Sequence, residues 1–300
     1  MYKTIIPGLV SVDTELRSLN GFVMCQNFDF FPKTKNKLKF HYTLKVENDI
    51  SIPEEYDLRS EYYVKKGEAW YFSRNIFFWH PSFKFDQSTK TLSFNRDYLL
   101  MPISLGGIFT VGEHLSNLID LDLFLNEYVV MRGVAFKKDN SVIGICAPGF
   151  NGKTTLLKKM LAGGALYLAE DYLILDTKKS IIYPTCPLAK ENFWRRRKIS
   201  GNIFHLISKK SQAYHPLKLD KLILLENTLN QQTTKTNRTV EDFLILNSLY
   251  FLNNLFIKSI IFDRSLTIKL LDTINLTASL LNRASKRVTY NFDDTFITSL

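Results

Sequence analysis

Residues Ile145 to Asp176 read ICAPGFNGKTTLLKKMLAGGALYLAEDYLILD, and the spacing of glycines, apolar runs and one acidic pair in this stretch decides the fold. The run just before and into it, SVIGICA, predicts a strand, and KTTLLKKMLAGG predicts a helix closed by a left-handed cap at Gly163 or Gly164. From Gly152 to about Leu161 that helix is roughly 15 Å long at 1.5 Å per residue. ALYLA, Ala165 to Ala169, climbs back as a strand over roughly 16 Å at about 3.3 Å per residue. Glu170 and Asp171 therefore arrive level with the loop that precedes the helix. Carboxylates in an apolar run are costly unless paired, protonated or metal-bound, so a compensating cation is expected beside them.

The loop itself, APGFNGKT from Ala147 to Thr154, fits the phosphate-loop pattern with alanine in place of its first glycine. Successive backbone N–H groups must curl around an anion while the next helix points its positive end at it, and Gly149 and Gly152 permit that curl. The residues expected to hold a nucleotide are Gly149, Phe150, Asn151, Gly152, Lys153, Thr154 and Thr155. Lys153, expected to face solvent, would reach the β- and γ-phosphates, and the Thr154 hydroxyl would ligate Mg²⁺. A glycine turn before an ordinary helix is the competing reading. The strand before the loop and the helix after it favour the phosphate loop.

Three hundred residues, 45% of them hydrophobic, suffice for one large core or two modest ones. Phe243 to Phe262 is the nearest approach to a membrane span, but Asn247, Asn253, Asn254 and Lys258 interrupt it. The N-terminus lacks the pattern of a secretory signal, and a cytoplasmic protein is expected. Cys25, Cys146 and Cys186 suit neither a disulfide framework nor a zinc site, and are expected to be reduced core residues. The net charge of +10, from 39 basic and 29 acidic side chains, favours an anionic partner without choosing one. Nucleic acid is such a partner, but no recognised nucleic-acid module accompanies the charge.

Periodicity divides the chain. LKFHYTLKV alternates, with Leu38, Phe40, Tyr42, Leu44 and Val46 on one face, and EAWYFS, NIFFWH and TLSFNRDY continue as strands. EHLSNLIDLDLFLNE is helical, YVVMRGVAF returns to strand, and YLILDTKKSIIYP reads as a hairpin. KLILLE and RVTYNF add strands; VEDFLILNSLYFLNNLF and TASLLNRAS add helices. We expect a β-rich region over residues 1–112 and an α/β domain over 113–300.

Arg132 to Asp176, RGVAFKKDNSVIGICAPGFNGKTTLLKKMLAGGALYLAEDYLILD, resembles the HPr serine kinase group of P-loop proteins, which includes the lasso-peptide precursor kinases. A looser likeness runs through YPTCPL to the closing SKRVTYNFDDTFITSL, and residues 1 to about 110 lie outside it. The resemblance implies a P-loop HPr-kinase-like core and ATP-dependent transfer to serine. It also implies a first acid acting as base, here Glu170, and a second near the metal, here Asp171. The family pattern has glycine at Ala147, aspartate at Glu170 and histidine at Arg132. Arginine cannot serve as a neutral acid-base group, though it can clamp a phosphate. The segment that follows the acid pair in HPr kinases is absent here, which argues against HPr as substrate.

The function expected from sequence is therefore transfer of the γ-phosphoryl group of ATP, with Mg²⁺, to a hydroxyl of a peptide, protein or small molecule. Lys153, Glu170 and Asp171 are the expected catalytic residues, and Thr154 and Asp171 the expected metal residues. Arg132 and the cluster Arg195, Arg196 and Arg197 in FWRRRK are candidates for gripping an acidic substrate. A P-loop ATPase or nucleotide-gated interaction protein is the first alternative and a nucleic-acid-binding protein the second. Assembly as a homo-oligomer is compatible with all three.

Overall fold

The computed structural model of the chain describes residues 1–22, 28–60, 62–76, 79–100, 109–146, 152–185, 215–227, 255–261 and 264–290. The content is mixed α/β with more strand than helix among these residues. Two compact units emerge: the first joins residues up to Asp122 to those between 255 and 267, and the second takes the rest. No helix among the described residues is long and apolar enough to cross a membrane.

The first unit carries β1 (Tyr2–Ile6), β2 (Val10–Asp13), β3 (Lys33–Thr34), β4 (Phe40–Val46), β5 (Leu58–Arg59), β6 (Val64–Lys66), β7 (Ala69–Ser73), β8 (Ser82–Asp86) and β9 (Thr91–Phe94). They form one sheet in the order β3-β1-β2-β4-β9-β8-β7-β6-β5, with β4 parallel to both β2 and β9. Along β4 the expected alternation buries Phe40, Tyr42 and Leu44, whereas Val46 at the strand end is exposed. Two expected strands differ. Of NIFFWH, the described Ile76 and Trp79 make only an isolated antiparallel bridge. TLSFNRDY is strand only through Phe94, because the Asn95 side-chain oxygen accepts the Tyr98 N–H at 3.0 Å and starts α1 (Arg96–Leu100).

Helix α2 (Val111–Leu125) begins with a reciprocal cap: Thr110 Oγ1 accepts the Glu113 N–H at 3.3 Å, and Glu113 Oε2 accepts the Thr110 N–H at 2.9 Å. From α2, the fully buried His114 joins an aromatic cluster with Tyr63, Phe83, Tyr98 and Phe256. Phe256 arrives on a helix from the far end of the sequence.

The second unit holds β10 (Tyr128–Met131), β11 (Gly133–Lys138), β12 (Ser141–Cys146), α3 (Lys153–Ala162), β13 (Leu166–Glu170), β14 (Leu173–Asp176) and β15 (Ile181–Tyr183). It continues with β16 (Leu217–Lys218), β17 (Lys221–Asn227) and β18 (Ser285–Tyr290). One sheet runs β10-β14-β15-β16 and the other β13-β11-β12-β17-β18. In the latter, β12, β17 and β18 are parallel, while β11 is antiparallel to both β12 and β13. The expected hairpin is β14 and β15. Helix α3 covers one face of this sheet through Leu156, Leu157, Met160 and Leu161, packed with Val134, Phe136, Ile143, Ile145 and Tyr167. Ala135, Val142, Cys146, Leu168 and Ala169 belong to the apolar cluster of the other face.

The two sheets share one antiparallel ribbon. Met131 opposes Leu173 in the four-stranded sheet and Val134 opposes Glu170 in the five-stranded one. The register is the same on both sides, so Arg132 falls opposite Tyr172 and Gly133 opposite Asp171. The Gly133 N–H donates to the Asp171 carbonyl at 3.4 Å across this bend. A Cβ at Gly133 would lie 2.8 Å from the Ile145 carbonyl oxygen, so only glycine permits the close approach.

Candidate functional site

Strand β12 ends at Cys146, and the described chain resumes at Gly152, which holds φ at 69° immediately before α3. The intervening Gly149, Phe150 and Asn151 lie outside the described residues, as do Arg195, Arg196, Arg197, Cys25 and Cys186. At its other end α3 closes with the Gly164 N–H donating to the Leu161 carbonyl at 3.0 Å and the Ala165 N–H to that of Met160 at 3.1 Å. Gly164, with φ at 89°, is the left-handed residue this paired cap requires.

The chain then returns as β13, where one irregularity determines the site. Ala135 opposes Ala169 but its neighbour Phe136 opposes Tyr167, leaving Leu168 as an extra residue in a β-bulge. Strict alternation would send Tyr167 and Glu170, three apart, to opposite faces of the sheet. With the bulge, Leu168 and Ala169 both turn to the face away from α3. Glu170 is thereby carried to the face of α3. There the Thr154 hydroxyl, in the first turn of that helix, donates to Glu170 Oε1 at 3.0 Å.

The strand ends at Glu170 and resumes at Leu173. Between them Asp171 takes φ of 61°, a left-handed conformation that Asp tolerates better than most residues. The backbone thus turns at the acidic pair, and the apolar run divides there into β13 and the first strand of the expected hairpin, β14.

Lys153 does not face solvent; it is only 7% exposed. Burial lowers its pKa from the ordinary lysine value, Asp171 and then Cys146 oppose that shift, and Arg132 adds to it. These groups thus lie within electrostatic reach of Lys153, and Asp171 offers the buried ammonium a counter-charge. Burial pushes the Cys146 thiol up to about 12, with Lys153 acting in the opposite sense, so this cysteine is an inert, protonated core residue. Glu170 is buried at 6% exposure. Thr155 is exposed and Arg132 is half-buried at the ribbon bend.

The structure therefore brings together Lys153, Thr154, Glu170, Asp171 and Arg132. Sequence reading overlooked Thr185. Its hydroxyl accepts the Glu170 N–H at 3.4 Å and lies 3.3 Å from Tyr167 Oη, and its own N–H donates to the Leu168 carbonyl at 2.9 Å. Thr185 belongs to no recognised motif; its only signal was its place in YPTCPL. Among the described residues no group of three or more His, Cys, Asp or Glu could hold a metal ion. Thr154 and Glu170 are hard oxygen donors of the kind Mg²⁺ takes when phosphate and water complete its shell, so the pair fits that ion. No family model matches the chain, and no curated protein matches it.

Proposed function

We propose that the second unit is an ATP-dependent phosphotransferase with a P-loop core of the HPr-kinase type, moving the γ-phosphoryl group to a hydroxyl of a peptide, protein or small molecule, serine being the expected acceptor. The Thr154–Glu170 hydrogen bond is the observation that carries this reading, because it couples the helix start after the glycine loop to the acidic pair. The left-handed Gly152, the start of α3 and the buried lysine suit a phosphate chain. The paired carboxylates suit its metal and the acceptor proton.

Chemically, the acceptor oxygen forms a bond to the γ-phosphorus as the bond from that phosphorus to the bridging oxygen breaks, ADP leaves, and the acceptor proton passes to a carboxylate. Thr154 would hold Mg²⁺, which would supply neutralisation of the phosphate charge. A threonine hydroxyl has one hydrogen and two lone pairs, so it serves a metal while still donating to Glu170. That bond favours Glu170 as the carboxylate of the metal side, leaving Asp171 to take the proton once Lys153 engages phosphate. This reverses the division that the family resemblance implies.

The test is incubation with labelled Mg-ATP and serine-containing peptides, reading labelled acceptor and free phosphate side by side. Labelled acceptor supports transfer. Phosphate alone identifies an ATPase, and no Mg-ATP-dependent thermal stabilisation of the protein overturns the nucleotide site itself.

A further inference from the structure

We propose that Thr185 is the positioning residue that holds Glu170 on the face of α3. The inference rests on the phosphotransferase reading and adds to it a residue outside the loop and the acidic pair. β13 is the edge strand of its sheet, so the backbone groups of Leu168 and Glu170 that point away from β11 need partners from elsewhere. Thr185 supplies both. Its N–H takes the carbonyl of the bulged Leu168, and its hydroxyl takes the Glu170 N–H two residues on. The same hydroxyl pairs with Tyr167 Oη on the other side of the bulge. One side chain thus bridges the residues before and after the extra residue that reverses the facing of Glu170.

All partners are buried: Tyr167 and Leu168 fully, Glu170 and Thr185 nearly so. Water is poorly placed to replace the hydroxyl. Without it β13 loses the side-chain anchor next to Glu170, and the carboxylate loses its fixed distance to Thr154, here 3.0 Å. Thr185 acts through the strand rather than by touching phosphate or acceptor.

The experiment compares the full chain with Thr185→Val, which keeps the shape and deletes the hydroxyl, and Thr185→Ser, which keeps it. Two quantities are read: the Mg²⁺ concentration giving half-maximal affinity for a fluorescent ATP analogue, and the rate of phosphoryl transfer or hydrolysis. Thr185→Val is expected to raise the Mg²⁺ requirement about tenfold and lower the rate by a similar factor, with Thr185→Ser within about threefold of the parent. These factors correspond to losing one positioned hydrogen bond. A lowered melting temperature with unchanged Mg²⁺ requirement makes the hydroxyl merely structural and overturns the proposal. If the valine chain fails to fold, Thr185→Ala is read the same way. If neither folds while the serine variant does, the proposal also fails. Should the parent bind nucleotide with Mg²⁺ and lose it in Lys153→Met while Thr185→Val behaves as parent, only the role of Thr185 falls. A parent with no Mg²⁺-dependent nucleotide binding sinks both readings.

Discussion

The hydroxyl of Thr154 donates to the carboxylate of Glu170 across 3.0 Å, joining the first turn of α3 to the last residue of β13. If that contact marks the metal side of the site, the two acids fail differently. Glu170→Gln should raise the Mg²⁺ concentration needed for half-maximal activity, since it removes a charge beside the Thr154 hydroxyl. Asp171→Asn should keep that requirement and lose about 10² to 10⁴ in transfer rate, the usual contribution of a positioned base. Metal titrations of activity for both variants decide it, and the opposite pattern restores the division implied by the family resemblance.

Lys153 is buried within electrostatic reach of Asp171, so truncation to alanine would mix a binding defect with a packing one. Lys153→Met keeps the aliphatic stem and removes the charge. It is expected to melt within a few degrees of the parent and to lose the thermal shift given by Mg-ATP. Equal shifts in parent and variant would remove Lys153 from the nucleotide site.

Asp171 holds φ at 61°, and this constrains substitution independently of chemistry. Left-handed backbone costs an ordinary L-residue about 1–2 kcal/mol, less for Asn and nothing for Gly. All three of Asp171→Gly, Asp171→Asn and Asp171→Val lose the same counter-charge to Lys153, so the differences among them report the backbone: Asp171→Val should unfold in urea well below the other two. Equal midpoints for valine and glycine would show that the turn relaxes.

His114 gives a pH dependence of stability. Burial lowers its pKa from 6.5 to about 3 in the folded chain, so it stays neutral there while the unfolded chain takes up a proton below about pH 6.5. Its effect is absent above that value and destabilises progressively as pH falls from about 6.5 to about 3, at no more than about 1.4 kcal/mol per pH unit. Urea denaturation at pH 7 and pH 5 should show a smaller acid loss in His114→Gln than in the parent. Equal losses would mean that His114 is protonated inside the fold.

Much of this site was legible from lengths and residue types. Strand, helix and returning strand follow from the apolar runs around Gly152 and Gly164, and the rise per residue alone placed Glu170 and Asp171 level with the start of α3. The facing of Glu170 was hidden. It depends on the extra residue Leu168, and a bulge in an apolar run carries no local mark when Leu, Ala and Tyr all suit either face of a sheet buried on both. Its anchor, Thr185, comes from the chain segment beyond β15. The burial of Lys153 was hidden for a related reason, because its counter-charge lies at a bend whose existence depends on pairing between β11 and β13. Asn95 was legible in principle as a helix cap, but TLSF before it reads as strand and carried the expectation too far.

The ribbon formed by β10–β11 and β13–β14 keeps one register through its bend at Arg132 and Asp171, although its halves lie in different sheets. Its backbones are paired from Tyr128 to Met131 and again at Val134 and Ala135, and the Gly133–Asp171 hydrogen bond joins the two runs at the bend. A fluctuation that frays either half must travel through the acidic pair before it reaches the next sheet. Glu170 and Asp171 thus stand at the point where opening of one sheet becomes opening of the other, and the protons of both halves should exchange with solvent in a single cooperative event.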